Sequence, residues 1–153
     1  IGADAFYYKK DESGYNKMYT CGSVELEDNV EIGALSTIDR GVSGATIIGE
    51  GSKLDDHVHV GHDTVIGKHC LFAAQVGIAG CVTIKDHVIL WGQVGVASDR
   101  IIGERAVVLG QSGVSKDLEG GKTYFGSPAG EAKAKFRELA LIRKIPSIIE
   151  RLS

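Results

Sequence analysis

Every sixth residue from Ile48 to Val114 is large and apolar. The series runs Ile48, Leu54, Val60, Ile66, Phe72, Ile78, Ile84, Leu90, Val96, Ile102, Val108 and Val114. With 43% of residues hydrophobic, such a frame would arise by chance roughly once in 25,000 trials. The residue after each anchor is often small (Gly49, Gly61, Gly67, Ala73, Ala79, Ala97, Gly103), as expected where a backbone turns a tight corner. The fifth of each hexad is usually small or β-branched, as in Ser52, Val58, Thr64, Val76, Val82, Val88 and Val94. Six residues are too few for a helix and suit one short strand plus a turn. Three hexads then close a triangular coil with the anchors inside, and residues eighteen apart stack at about 4.8 Å. The pattern predicts an all-β solenoid, a parallel β-helix.

Stacking at eighteen generates columns. His57, Gln75, Gln93 and Gln111 share one, read as a structural amide ladder rather than a binding site, and His62, Gly80, Ser98 and Lys116 share another. The rhythm also holds at Leu26, Ile32 and Ile38, after which the next anchor comes ten residues on at Ile48, so four residues near 41–45 bulge out as a loop. Tyr7 to Tyr19 lacks anchors and reads as another excursion. After Val114 the period fails. Gly120 to Pro128 has turn chemistry, and Ala129 to Leu152 has helical spacing at Phe136, Leu139, Ala140 and Arg143, with a break expected at Pro146. The expected organisation is residues 1–118 as β-helix with excursion loops near 7–19 and 41–45, and 119–153 as loop and C-terminal helices.

Composition agrees with many regular turns: 21 glycines stand beside 2 prolines. A net charge of −3 gives no basic footprint for nucleic acid, and no apolar run is long enough to span a bilayer. Cys21, Cys70 and Cys81 are odd in number and lack CxxC spacing, which argues against a disulfide framework and fits a reducing cytoplasm. The chain opens at Ile1 with neither an initiator Met nor a signal-peptide pattern, so upstream residues are expected. Three of the five histidines, His57, His59 and His62, fall within six residues. Solvation is the plain reading of any one surface histidine, but the clustering points toward function.

The segments IGALSTIDRG, TIIGEGSKLDDHVHVGHDTVIG and AAQVGIAG resemble the repeat region of the UDP-3-O-acylglucosamine N-acyltransferase family of lipid A biosynthesis. IGADAFYY is similar to that family's GADGFGY stretch, and GSPAGEAKAKFRELALIRKIPSIIERL to its trimer-forming C-terminal helices. The resemblance implies a left-handed β-helix, a homotrimer with clefts between subunits, and a cytoplasmic enzyme of a Gram-negative bacterium. It further implies transfer of a hydroxyacyl chain from acyl carrier protein to a UDP-linked amino sugar, with the carrier thioester as co-substrate and neither a cofactor nor a metal. By motif position the family's catalytic histidine falls on His62, as general base for the sugar amine. The family's oxyanion donor, a glycine N–H one coil along, falls on Gly80, which the eighteen-residue column also places beside His62. Asp63 or Asp55 is the candidate to orient the imidazole, Asp63 preferred. Lys116, Lys122, Arg137, Arg143 and Lys144 are candidates to dock the acidic carrier, against the alternative of a solvated helix face.

The chain departs from the family in two ways. The uridine-binding N-terminal domain is not in this sequence. Where the family reads DNxVQIAHN, Asp56 replaces Asn, His59 Gln, Gly61 Ala and Asp63 Asn; Asp99 stands where a second histidine is expected. Asp55, Asp56 and His59 are therefore the candidate substrate-binding residues, and the acceptor is the open question. The rival functions are an acetyl-CoA-dependent sugar-nucleotide N-acetyltransferase, a γ-class carbonic anhydrase-like metalloprotein using His57, His62 and Cys21, and a non-catalytic scaffold.

Overall fold

A computed structural model describes residues 1–152 and shows a left-handed parallel β-helix of about six turns. Two-residue strands recur at each anchor and its predecessor, from Lys53–Leu54 and His59–Val60 through Gly113–Val114. They stack into three sheets, one of seven strands and two of five, which are the faces of a triangular prism. The register is eighteen: Leu71 pairs with Lys53 and Ile89, Gly77 with His59 and Gly95, and Thr83 with Val65 and Ile101. Before the 41–45 loop the register is 22, since Glu31 pairs with Lys53, Thr37 with His59 and Ser23 with Ala45. The four extra residues are thus absorbed without disturbing the stack.

The anchors and the residues two before them fill the axis, with Phe72, Ile78, Leu90, Val76 and Val88 fully buried. The corner itself differs from expectation. None of Gly49, Gly61, Gly67 or Gly103 has positive φ; the left-handed residue is the third after each anchor, as at His57, Asp63, Gln75, Cys81 and Gln93. The small residue after the anchor answers a different need, because the next coil's backbone passes over it. A Cβ on Gly61 would lie 2.7 Å from the Ala79 carbonyl carbon and the Gly80 nitrogen. Buried hydroxyls tie neighbouring corners: Ser52 Oγ donates to Gly67 O and accepts from Cys70 N–H.

The 7–19 segment is an antiparallel hairpin, Tyr8–Asp11 with Gly14–Lys17, rather than an unstructured loop. Past Val114, where periodicity predicts only a loop, Thr123–Phe125 joins the seven-stranded sheet and Gly130–Glu131 folds back on it. Backbone pairing with a completed sheet edge overrides the absent apolar rhythm there. Helices follow at Ala132–Ile142 and Ile145–Leu152, and Pro146 sits in the first turn of the second, where its missing N–H costs nothing. No helix among the described residues is long and apolar enough to cross a membrane.

Candidate active-site cleft

His59 precedes the anchor Val60 and so points outward from its strand; His62 follows the anchor by two and occupies the corner. Gly61 between them lets the chain press onto the coil below, which brings the His62 ring over Gly80. A Cβ at Gly80 would lie only 2.6 Å from His62 Nε2, 2.7 Å from Cε1 and 2.9 Å from Cδ2. Glycine is required at 80 by this contact, since its own φ is ordinary.

Asp63 holds the ring from behind, its Oδ2 lying 2.8 Å from His62 Nδ1. A carboxylate only accepts, so the Nδ1 proton is fixed on that side and the Nε2 lone pair is left free. The carboxylate is itself fixed by the Val42 N–H, at 3.1 and 2.9 Å from its two oxygens, and the Asp63 N–H donates to Thr46 Oγ1. The left-handed backbone of Asp63, with φ of 55°, turns its side chain toward that loop. The 41–45 insertion therefore supplies the amide that anchors the dyad.

A cleft of about 570 Å³ opens in front of the dyad, lined by His59, His62, Gly80, Ser98, Asp39 and Phe6 among others. His59 is fixed by Thr37 Oγ1, 2.8 Å from its Nδ1, and its Nε2 lies 3.9 Å from Asp39 Oδ2. The N-terminal hairpin leans over the opening, with the Tyr7 ring centroid 5.9 Å from that of His62. Phe6, Tyr7, Tyr8 and Tyr15 line an adjoining aromatic recess.

Of the sequence-based candidates, His62, Gly80, Asp63 and His59 are gathered at this cleft. Asp55 and Asp56 are not. Asp55 lines a different cleft with Glu31, Lys53, Leu71 and Trp91, and Asp56 Oδ1 accepts the Ala34 N–H at 2.6 Å. Between the two carboxylates considered for the imidazole, only Asp63 reaches it. The carrier-docking candidates Lys116, Arg137, Arg143 and Lys144 are exposed, and Lys122 is paired with Glu119. Sequence reasoning missed Asp39, Phe6 and Tyr7. Asp39 follows an anchor like any corner residue, and the position of the hairpin over the cleft depends on non-local ties such as Gly2 N–H to Ile38 O.

The anhydrase-type ligand set is not assembled. His57 is exposed with its N–H on Ala34 O, and Cys21 lies by Val42 O. The 22-residue register ahead of the loop puts Leu35, not a position near Cys21, above His57. Among the described residues, the group of three potential ligands whose donor atoms lie within 4.8 Å of one another is His62, Asp63 and Cys81. Burial raises the Cys81 thiol pKa, with the negative charges of Asp63 and Asp99 adding to it.

Residues 45–80 match the family model for bacterial transferase hexapeptide (six repeats). The chain is 56% identical to UDP-3-O-acylglucosamine N-acyltransferase of Oleidesulfovibrio alaskensis over 99% of its own length and 44% of that protein. It is 51% identical to that of Nitratidesulfovibrio vulgaris, again over 99% of its length and 44% of the relative. The chain thus spans less than half the length of these relatives. Among solved structures, Francisella novicida UDP-N-acetylglucosamine acyltransferase aligns with a TM-score of 0.76 at 27% identity, over 90% of this chain and 51% of that one. Perosamine N-acetyltransferase of Caulobacter crescentus, at 18% identity and a TM-score of 0.58, shares the fold, over 74% of this chain and 57% of that one.

Proposed function

The chain resembles the UDP-3-O-acylglucosamine N-acyltransferases along nearly its whole length, in the repeat region and the segment after it, and from that premise we propose that its cleft performs N-acyl transfer in lipid A biosynthesis. The donor is a hydroxyacyl thioester on acyl carrier protein, the acceptor the amine of a UDP-linked amino sugar, and the setting the cytoplasm. The observation that carries this reading is the Asp63–His62 dyad with its free Nε2 seated over Gly80.

In the proposed step His62 Nε2 takes a proton from the sugar amine as its nitrogen attacks the thioester carbonyl. Asp63 stabilises the imidazolium that forms. The Gly80 N–H has no acceptor among the described residues and serves as donor to the developing oxyanion. Collapse breaks the carbon–sulfur bond, and the imidazolium returns its proton to the departing thiolate. Asp39 and His59 face the same space and are the groups proposed to bind acceptor hydroxyls. A homotrimer is part of the proposal, supported by the exposed apolar residues Phe136, Ile142, Ile145, Ile148 and Ile149 on the C-terminal helices.

Transfer assayed with hydroxyacyl carrier protein and a UDP-amino sugar should fall about 10²–10⁴-fold in His62→Ala. Retained activity would sink the assignment. Turnover with acetyl-CoA in place of the acylated carrier would favour the acetyltransferase reading instead.

A further inference from the structure

His62, Asp63 and Cys81 meet on one edge of the prism. Cys81 stands eighteen residues after Asp63 and therefore directly beneath it, and its N–H donates to His62 O at 2.8 Å. Both residues carry left-handed backbone, with φ of 62° and 55°. A ring nitrogen of His62, a carboxylate oxygen of Asp63 and Cys81 Sγ all lie within 4.8 Å of one another. These are the three donor types that zinc accepts, and on a tetrahedral zinc neighbouring ligand atoms stand about 3.5 Å apart. Closing to that spacing calls for side-chain rotation, for which the exposed Cys81 has room. Cys81 is exposed, while the His62 and Asp63 side chains are 17% and 27% accessible, so an ion can enter from solvent. The proposed acyl transfer makes no use of the thiol.

We infer that this edge binds one soft divalent cation of the zinc class through His62, Asp63 and Cys81, with its fourth position left to a solvent molecule, and that occupation shuts the site off. Binding breaks the Cys81 S–H bond, releases that proton to solvent and forms the metal–sulfur bond. The imidazole stays neutral. Whichever ring nitrogen takes the ion, the remaining proton occupies the other, and no lone pair is left to act as base. The cation is thus an inhibitor rather than a cofactor. Its inhibitory effect rests on the acyl-transfer reading, and its binding does not.

Titration of the full chain with Cd²⁺, followed by thiolate-to-metal charge-transfer absorption, should saturate at about one equivalent. The absorption should be lost in Cys81→Ser and kept in Cys21→Ser, which removes the other exposed thiol. Zn²⁺ should slow alkylation of Cys81 by iodoacetamide roughly tenfold or more, read by peptide mass spectrometry. In the transfer assay, Cys81→Ser should keep its basal rate and need roughly tenfold more Zn²⁺ for half-inhibition. Unchanged Cd²⁺ absorption in Cys81→Ser, absent protection by Zn²⁺, or equal inhibition of both proteins would overturn the site. If no donor supports transfer at all, the functional reading fails, and the Cd²⁺ and alkylation measurements still decide the cation site.

Discussion

Replacing Gly80 with Ala adds one methyl group at the point where the His62 ring rests. The new Cβ would stand 2.6 Å from Nε2, and ordinary contact begins at 3.4 Å, so the ring must move by about 0.8 Å. It can move only by loosening the 2.8 Å bond from Nδ1 to Asp63, because the carboxylate is held by the Val42 amide. A displacement near 1 Å at a reacting group costs on the order of 10²-fold in rate. Stability should hardly respond. The φ of Gly80 is one that alanine adopts freely, and the backbone-entropy gain of about 0.4–1 kcal/mol offsets much of the cost of loosening the partly exposed His62–Asp63 bond. The measurements are kcat for transfer and a thermal melt. A rate loss of about 100-fold is expected with the melting temperature moved by only a few degrees, and no further loss when Gly80→Ala is added to His62→Ala. Full activity in the single variant would refute the claim that the ring is positioned by contact with Gly80.

Three further outcomes follow from the stacked coils. Phe72 is fully buried on the axis, so Phe72→Ala should cost about 3–5 kcal/mol in urea unfolding. The side-chain amides of Gln75, Gln93 and Gln111 form a ladder at 2.7 and 2.9 Å; Gln93→Gly keeps the left-handed corner and removes both bonds, and a loss of about 1 kcal/mol is expected by the same assay. Burial pushes the Cys70 thiol from about 9 up to about 11. Its folded pKa is raised, so its stabilising effect is complete below pH 9 and is lost as pH climbs from 9 to 11, by about 2–3 kcal/mol. Chemical denaturation across that range should show this slope in the native chain and a shallower one in Cys70→Ala.

The sequence by itself determined the coil. A six-residue apolar period admits only a short strand and a turn, and three such units close on themselves, so the anchors at Ile48 through Val114 already carried the solenoid, the eighteen-residue columns, the amide ladder and the meeting of His62 with Gly80. These are consequences of a one-dimensional repeat, in which each coil touches only its neighbours. Where the repeat stops, legibility stops with it. The strand Thr123–Phe125 has no anchor rhythm and exists because a sheet edge was waiting for it. The left-handed corner falls two residues later than the small residues suggested, because those are small to admit the next backbone rather than to turn the chain.

The choice of Asp63 over Asp55 as the carboxylate behind His62 was also a tertiary matter. Both lie within seven residues of the histidine, and only the fold sends one to the ring and the other to a different cleft. Asp39, the aromatic hairpin over the opening, and the approach of the Cys81 thiol to the His62 and Asp63 side chains belong to the same class. Each is placed by contacts between segments the period does not relate, or by side-chain directions that a column of positions leaves undefined. A repeat dictates which residues are level with one another, and packing between coils, loop and hairpin decides which of them touch.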